Sequence, residues 1–257
     1  MQDIEDLENA ATSQRDKALV WFFESTSIRI GTLPKLTWRD LKKTEDPEIP
    51  YQIEIESARL KGSGKLKYKG VKQITFLHSL AFEKLENYKV EAERKGYTLN
   101  DDSPIFIAYN QKGKVRPLGV PAINCVFNEA SLTAWHDLET KRFSPHDFRD
   151  FVQSSLESAG INSNVISPIL AHKIKGVDKH YSSHDVEELK GKYKTALPYL
   201  LPLTVAKVKA ESDKKVSEQQ QRIDSLERQV DEMPTKIRQQ LEALVPEIKK
   251  LYSESKA

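Results

Sequence analysis

Apolar residues recur at helical spacing in several stretches of the chain and at alternating spacing in others. Leu19, Phe22 and Phe23 share one face of residues 13–24, which predicts a buried helix. A shorter helix is expected over about residues 30–36, ending before Trp38, Arg39 and Asp40. Residues 52–60 alternate, with Ile53 and Ile55 against Glu54 and Glu56, as a half-buried strand does. Gly62, Gly64 and Gly70 interrupt that pattern, and residues 72–78 read as the returning strand. Residues 79–95 look helical, and residues 101–121 look like a loop with extended pieces. Ser144 then offers an N-cap, Pro145 suits a first helical position and Asp147 falls in the first turn. Phe148, Phe151, Val152, Leu156 and Ala159 form the stripe of that helix, and Gly160 ends it. Short helices are expected over residues 165–171 and 177–181, and another over 183–196.

The pattern changes after Pro202. Val216, Ile223, Val230, Ile237, Leu244 and Leu251 recur every seven residues, with Leu226 and Met233 between them, as in a coiled coil. Pro234 and Pro246 interrupt the run, so it reads as a broken helical hairpin or short zipper rather than one rod. The alternative is a single amphipathic helix packed on its own domain. The fold class expected is mainly α with a small antiparallel sheet (α+β), with a globular domain over residues 1–202 and a helical tail over 203–257.

Composition narrows the field of functions. The 257 residues are 30% charged and only 38% hydrophobic, which fits a partly extended, solvated molecule. A net charge of +2 announces no nucleic-acid partner by itself, so the distribution of charge decides. Lys61, Lys65, Lys67, Lys69 and Lys72 crowd the turn between the two strands. They read either as a solvated turn or as a hairpin laid along a phosphate backbone. The single Cys125 excludes a disulfide framework and a cysteine-rich zinc site. No apolar run reaches the roughly 18 residues of a membrane span, and no signal-peptide core opens the chain. A soluble, cytoplasmic protein with no membrane partner is the expectation.

One set of spacings carries chemistry. Arg29 lies early, in STSIRIGTLPKLTWRDL; His146 and Arg149 are three apart; Ala171-His172 follows; and Tyr181 comes nine residues after His172. Each part alone occurs by chance in many proteins. In this order the set resembles the catalytic domain of the tyrosine recombinases, the phage-type integrases, over roughly residues 3–200. The resemblance implies that domain's fold and an enzyme that breaks and rejoins DNA through a 3′-phosphotyrosyl intermediate at Tyr181. Arg29 and Arg149 would clamp the phosphate oxygens, since a guanidinium offers forked, permanently charged donors. His172 would add a further hydrogen bond and His146 would help take the tyrosine proton, which an unperturbed pKa of about 10 otherwise holds. The family's hairpin lysine, which protonates the departing 5′ oxygen, matches Lys69 best, with Lys67 and Lys61 as alternatives. Lys61, Lys65, Lys67 and Lys72 would contact DNA.

The chain departs from the family pattern in three places. Thr32 stands where an acidic residue is common, Ala171 replaces a glycine and Asp150 replaces a basic or neutral residue. The Thr32 change resembles the archaeal-type integrases. Family members carry an N-terminal core-binding domain, and this one is expected to lack it. The partners implied are double-stranded DNA and further copies of the chain, as a tetramer on two duplexes. No metal or nucleotide cofactor is expected: His172, His180 and His184 lack an acidic neighbour cluster, and no phosphate-binding glycine pattern occurs. Two other readings compete. A type IB topoisomerase shares the catalytic set but places its tyrosine well beyond its histidine. A non-catalytic DNA-binding remnant would retain the fold without the reaction.

Overall fold

A computed structural model of the chain describes residues 1–60, 72–109, 114–136, 143–171 and 185–202, and beyond these residues 219, 222–223 and 244–246. The chain divides into two units, Met1–Pro202 and Leu203–Ala257, and the fold described is that of the first. In order, the elements are α1 (Gln2–Ala10), α2 (Gln14–Thr26), β1 (Leu41–Lys43), β2 (Tyr51–Ile55), β3 (Gln73–Leu77) and α3 (Ser79–Arg94). Then come α4 (Val120–Trp135), α5 (Asp147–Ser158), α6 (Ser163–Leu170) and α7 (Val186–Leu200).

Helix α2 is the centre of the domain. The Ser13 hydroxyl accepts from Asp16 N and so caps the helix start. Every residue from Ala18 to Thr26 is buried, so α2 is covered on all sides, by α1, α3, α5 and β3. One core cluster gathers α1 to α4 around Trp21, Phe22, Phe23, Phe106, Phe127 and Phe148. A second joins Ile74 and Phe76 of β3 to α5, α6 and α7. The sheet is antiparallel in the order β1-β2-β3, with Ile53 opposite Leu41 and Thr75. Among the described residues no helix is long and apolar enough to cross a membrane.

Several expectations are corrected. The helix expected over residues 30–36 is a single 3-10 turn, Leu33–Lys35, because Pro34 has no N–H to continue a hydrogen-bond ladder. The strand expected to reach residue 60 stops at Ile55, and the chain turns through Ser57–Arg59 with Leu60 buried. Strand β1 and helices α1 and α4 carried no clear pattern. The helix expected from Ser144 begins at Asp147, although the Asp147 carboxylate accepts from Ser144 N and Oγ at 2.6 and 2.7 Å, fixing the entry turn. The helix over 177–181 and the lysine-rich turn lie outside the described residues, as does nearly all of the heptad tail.

Candidate active site

Two helix ends converge on two arginines. The last carbonyls of an α-helix have no partner within it, and the C-terminus carries partial negative charge, so cations suit that end. Helix α2 ends at Ser27, which turns left-handed at φ 48°, and its carbonyl accepts from Arg149 Nη1. Helix α6 ends at Ala171, left-handed at φ 50°. Leu170 O accepts from Arg149 Nη2 at 2.5 Å, and Ala171 O accepts from Arg29 Nη2 at 3.2 Å. Arg149 enters from the first turn of α5, and Arg29 lies two residues beyond Ser27.

The electrostatics follow from this placement. Arg149 is only 4% exposed. Burial first, and then repulsion from Arg29, lower its pKa to about 10, while Asp150 works the other way. The guanidinium stays charged at neutral pH. Its bonds go to neutral carbonyls, which orient the cation without cancelling it. Only two of its five N–H donors are used in these bonds. Like charges gathered on carbonyls suit an anion with several oxygens, such as a phosphodiester.

The other predicted residues are placed less completely. His146 precedes α5; its carbonyl accepts Arg149 N at 2.9 Å, and it is exposed while Arg149 is buried. Lys72 pairs with Glu54 and, at 3.7 Å, with Glu56, and bonding to Glu54 raises its pKa. Thr32 is wholly buried with a hydroxyl that has no hydrogen-bond partner among the described residues. His172, Tyr181, Lys61, Lys65, Lys67 and Lys69 lie outside the described residues. Among the described residues no group of His, Cys, Asp and Glu could hold a metal ion. Tyr193 is wholly buried, and burial first, then repulsion from Glu24, raise its pKa well above the ordinary value. Tyr199 is 49% exposed.

Sequence reasoning missed Ser27, Leu170 and Ala171 as site residues, because they act through backbone carbonyls that no side-chain identity reveals. The one signal was the family glycine at the position of Ala171, where glycine best suits a left-handed backbone.

A mostly helical domain with a three-stranded antiparallel sheet and this arginine pair define the catalytic-domain fold of the tyrosine recombinases. The chain matches the phage integrase family over residues 1–188 and belongs to it. Among solved structures it is similar to a XerA recombinase, at 19% identity and a TM-score of 0.50 over 75% of this chain and 62% of that one. It is also similar to a XerH site-specific recombinase bound to a palindromic difH substrate in a post-cleavage complex, at 17% identity and a TM-score of 0.46 over 74% of this chain and 50% of that one. The chain thus spans less than two thirds of either structure's length. No curated protein matches it.

Proposed function

We propose that this chain is a site-specific DNA recombinase that cleaves and rejoins DNA through a 3′-phosphotyrosyl intermediate at Tyr181. Family membership supports the reaction class. The observation that carries the reading is the gathering of Arg29 and Arg149 at the C-termini of α2 and α6. In the reaction the Tyr181 oxygen attacks phosphorus, the bond to the 5′ oxygen breaks, and its energy is kept in the new ester for rejoining. Charge grows on the non-bridging oxygens, where Arg29 and Arg149 meet it and His172 adds a donor. His146, whose exposure leaves it open to solvent and substrate, helps take the phenol proton. Lys69 gives a proton to the departing 5′ oxygen, with Lys67 and Lys61 as the alternatives. Lys61, Lys65 and Lys67 contact phosphates, and Lys72 joins them only by exchanging Glu54 for DNA. The chemistry calls on no metal or nucleotide. The partners are double-stranded DNA and further copies of the chain.

The test is to incubate the chain with a library of nicked duplexes that lose a short fragment on cleavage, trap denaturant-resistant adducts, and sequence the captured DNA. An adduct on a specific sequence, with the phosphotyrosyl peptide mapping to Tyr181, is expected. Tyr181→Phe should abolish the adduct and retain DNA binding, since only the hydroxyl is lost. Mapping to Tyr193 or Tyr199 would overturn the assignment; Tyr193 is the less suited, with its hydroxyl bonded to Ser25 O in the core. Relaxation of supercoiled DNA without sequence preference would favour a topoisomerase, and binding with no adduct would indicate a non-catalytic remnant.

A further inference from the structure

Three successive carbonyls at the end of α2 are each taken by a donor from a different element. Ser25 O accepts from Tyr193 Oη of α7 at 2.7 Å. Thr26 O accepts from Thr75 Oγ1 of β3 at 2.7 Å. Ser27 O accepts from Arg149 of α5. Ser25, Thr26, Ser27, Thr75 and Tyr193 are all 0% exposed. A helix end so buried must satisfy its carbonyls from the protein, because water does not compete there. The Ser25 hydroxyl extends the junction: it accepts His78 N at 2.9 Å, donates to Phe76 O at 3.1 Å and lies 3.2 Å from the Tyr193 oxygen.

The Tyr193 hydroxyl is not explained by packing. Its ring lies against Phe76 with centroids 5.3 Å apart, among Leu189, Ala196, Leu197 and Leu200. A phenylalanine would fill that space equally well. What the hydroxyl adds is a bond to the last turn of α2, two residues before the carbonyl that holds Arg149 and four before Arg29. Helix α7 also begins at Val186, five residues after Tyr181. The bond therefore joins the helix that follows the nucleophile to the helix end that carries the clamp.

We infer that Tyr193 is a positioning residue for the arginine pair, acting through Ser25 on the end of α2, with Thr75 as its counterpart from the sheet. The catalytic consequence rests on the recombinase reading above; the coupling itself does not. Loosening the end of α2 frees Ser27 O, lets the Arg149 guanidinium rock, and shifts the point from which the chain runs on to Arg29. Small displacements of such groups weigh heavily, because a clamp acts only where charge develops.

Two measurements test this on the full chain, with Tyr193→Phe and Thr75→Val as variants and Tyr199→Phe as control. The first needs no DNA: side-chain N–H exchange of the arginines is followed by NMR in the folded protein. Exchange at Arg149 should rise about tenfold in Tyr193→Phe and in Thr75→Val, as a local opening that leaves Arg59, bonded to Asp40, unchanged. The Tyr199→Phe control should match the parent chain. Unchanged exchange at Arg149, or an equal rise at Arg149 and Arg59, would overturn the inference, the second result because it marks a general loss of stability.

The second measurement compares adduct formation on the captured duplex with that on the same duplex carrying a neutral methylphosphonate at the scissile position. The neutral linkage has less charge for a clamp to meet. The variants should lose about tenfold in rate on the charged linkage and much less on the neutral one. An equal loss on both assigns Tyr193 to packing alone. If the parent chain forms no adduct, the recombinase reading fails, and the exchange result still decides the coupling.

Discussion

Arg29 and Arg149 look equivalent as two letters in a motif, but their surroundings separate what their removal should do. Arg149 is buried and ties the end of α2 to the end of α6 through Ser27 O and Leu170 O. Truncation to alanine strands both carbonyls in the core, which costs about 2–4 kcal/mol of fold stability. Arg29 is half-buried, and its bond to Ala171 O is longer, at 3.2 Å. Arg29→Ala should leave stability within about 1 kcal/mol while raising the cleavage barrier by about 2–4 kcal/mol, the effect of losing one oxyanion donor. Denaturant titrations beside adduct-formation rates check both; equal stability losses in the two variants would contradict the asymmetry. Binding that falls in step with rate would instead make Arg29 an ordinary phosphate anchor. The spacing of Arg29, His146 and Arg149 was legible because the motif is a matter of side chains. The carbonyls that hold the two arginines were not, since any residue supplies a carbonyl. Thr32 illustrates the boundary: the sequence marks a departure from the family, and only the structure adds that its hydroxyl is buried without a partner among the described residues.

Elements with a dense apolar run or one strong face were readable and those with diffuse patterns were not. Helices α2, α3 and α5 and strand β3 fall close to the stretches that periodicity marks. Helix α4 buries only Ile123, Phe127, Ala130 and Ser131, and its exposed Leu132 blurs the stripe. Strand β2 ends early because Ser57–Arg59 folds back onto the turn Trp38–Asp40, a contact between distant segments that alternation cannot report. Arg59 makes that contact with both nitrogens on Asp40, at 2.6 Å each. Asp40 also accepts from Thr37 N at 2.7 Å. Burial pushes the Asp40 carboxyl up, but the bonds from Arg59 and Thr37 outweigh it and hold the pKa below the ordinary carboxylate value. A depressed folded-state pKa stabilises the fold above the unfolded value, and this contribution is lost as pH falls through the folded one. Asp40→Asn should therefore cost about 1–2 kcal/mol near neutral pH, between an exposed pair and a buried charged bond. The gap between variant and parent should narrow steadily as pH falls below about 4, where an unperturbed aspartate takes up its proton. Urea titrations across that range measure it, and a gap independent of pH would show that charge is not what Asp40 contributes.

At the scale of the molecule, net charge says little and placement says more: +2 overall coexists with two arginines gathered at one site and a lysine-rich segment in the sequence between β2 and β3. The division at Pro202 has a physical counterpart in the core. Every buried hydrophobic residue described lies at or before Leu201, so the first unit holds a core of its own. Beyond it, Ile223 and Leu244 occupy positions of the seven-residue repeat and are 47% and 48% exposed in the single chain. Apolar residues repeated at that spacing and left open to water gain most by meeting a second such helix. If the proposed recombination joins two duplexes, copies of the chain have to act together, so we propose that the tail supports self-association. A chain ending at Pro202 should then keep its folding midpoint, because no described core residue is lost, and should still form the covalent adduct on a single captured site. Its mass on DNA by light scattering should fall below that of the full chain at equal concentration, and joining of two sites should fall further than cleavage of one, since only joining depends on assembly. Identical masses for the two chains, with and without DNA, would remove the assembly role. A lowered folding midpoint would instead assign the tail to packing against its own domain.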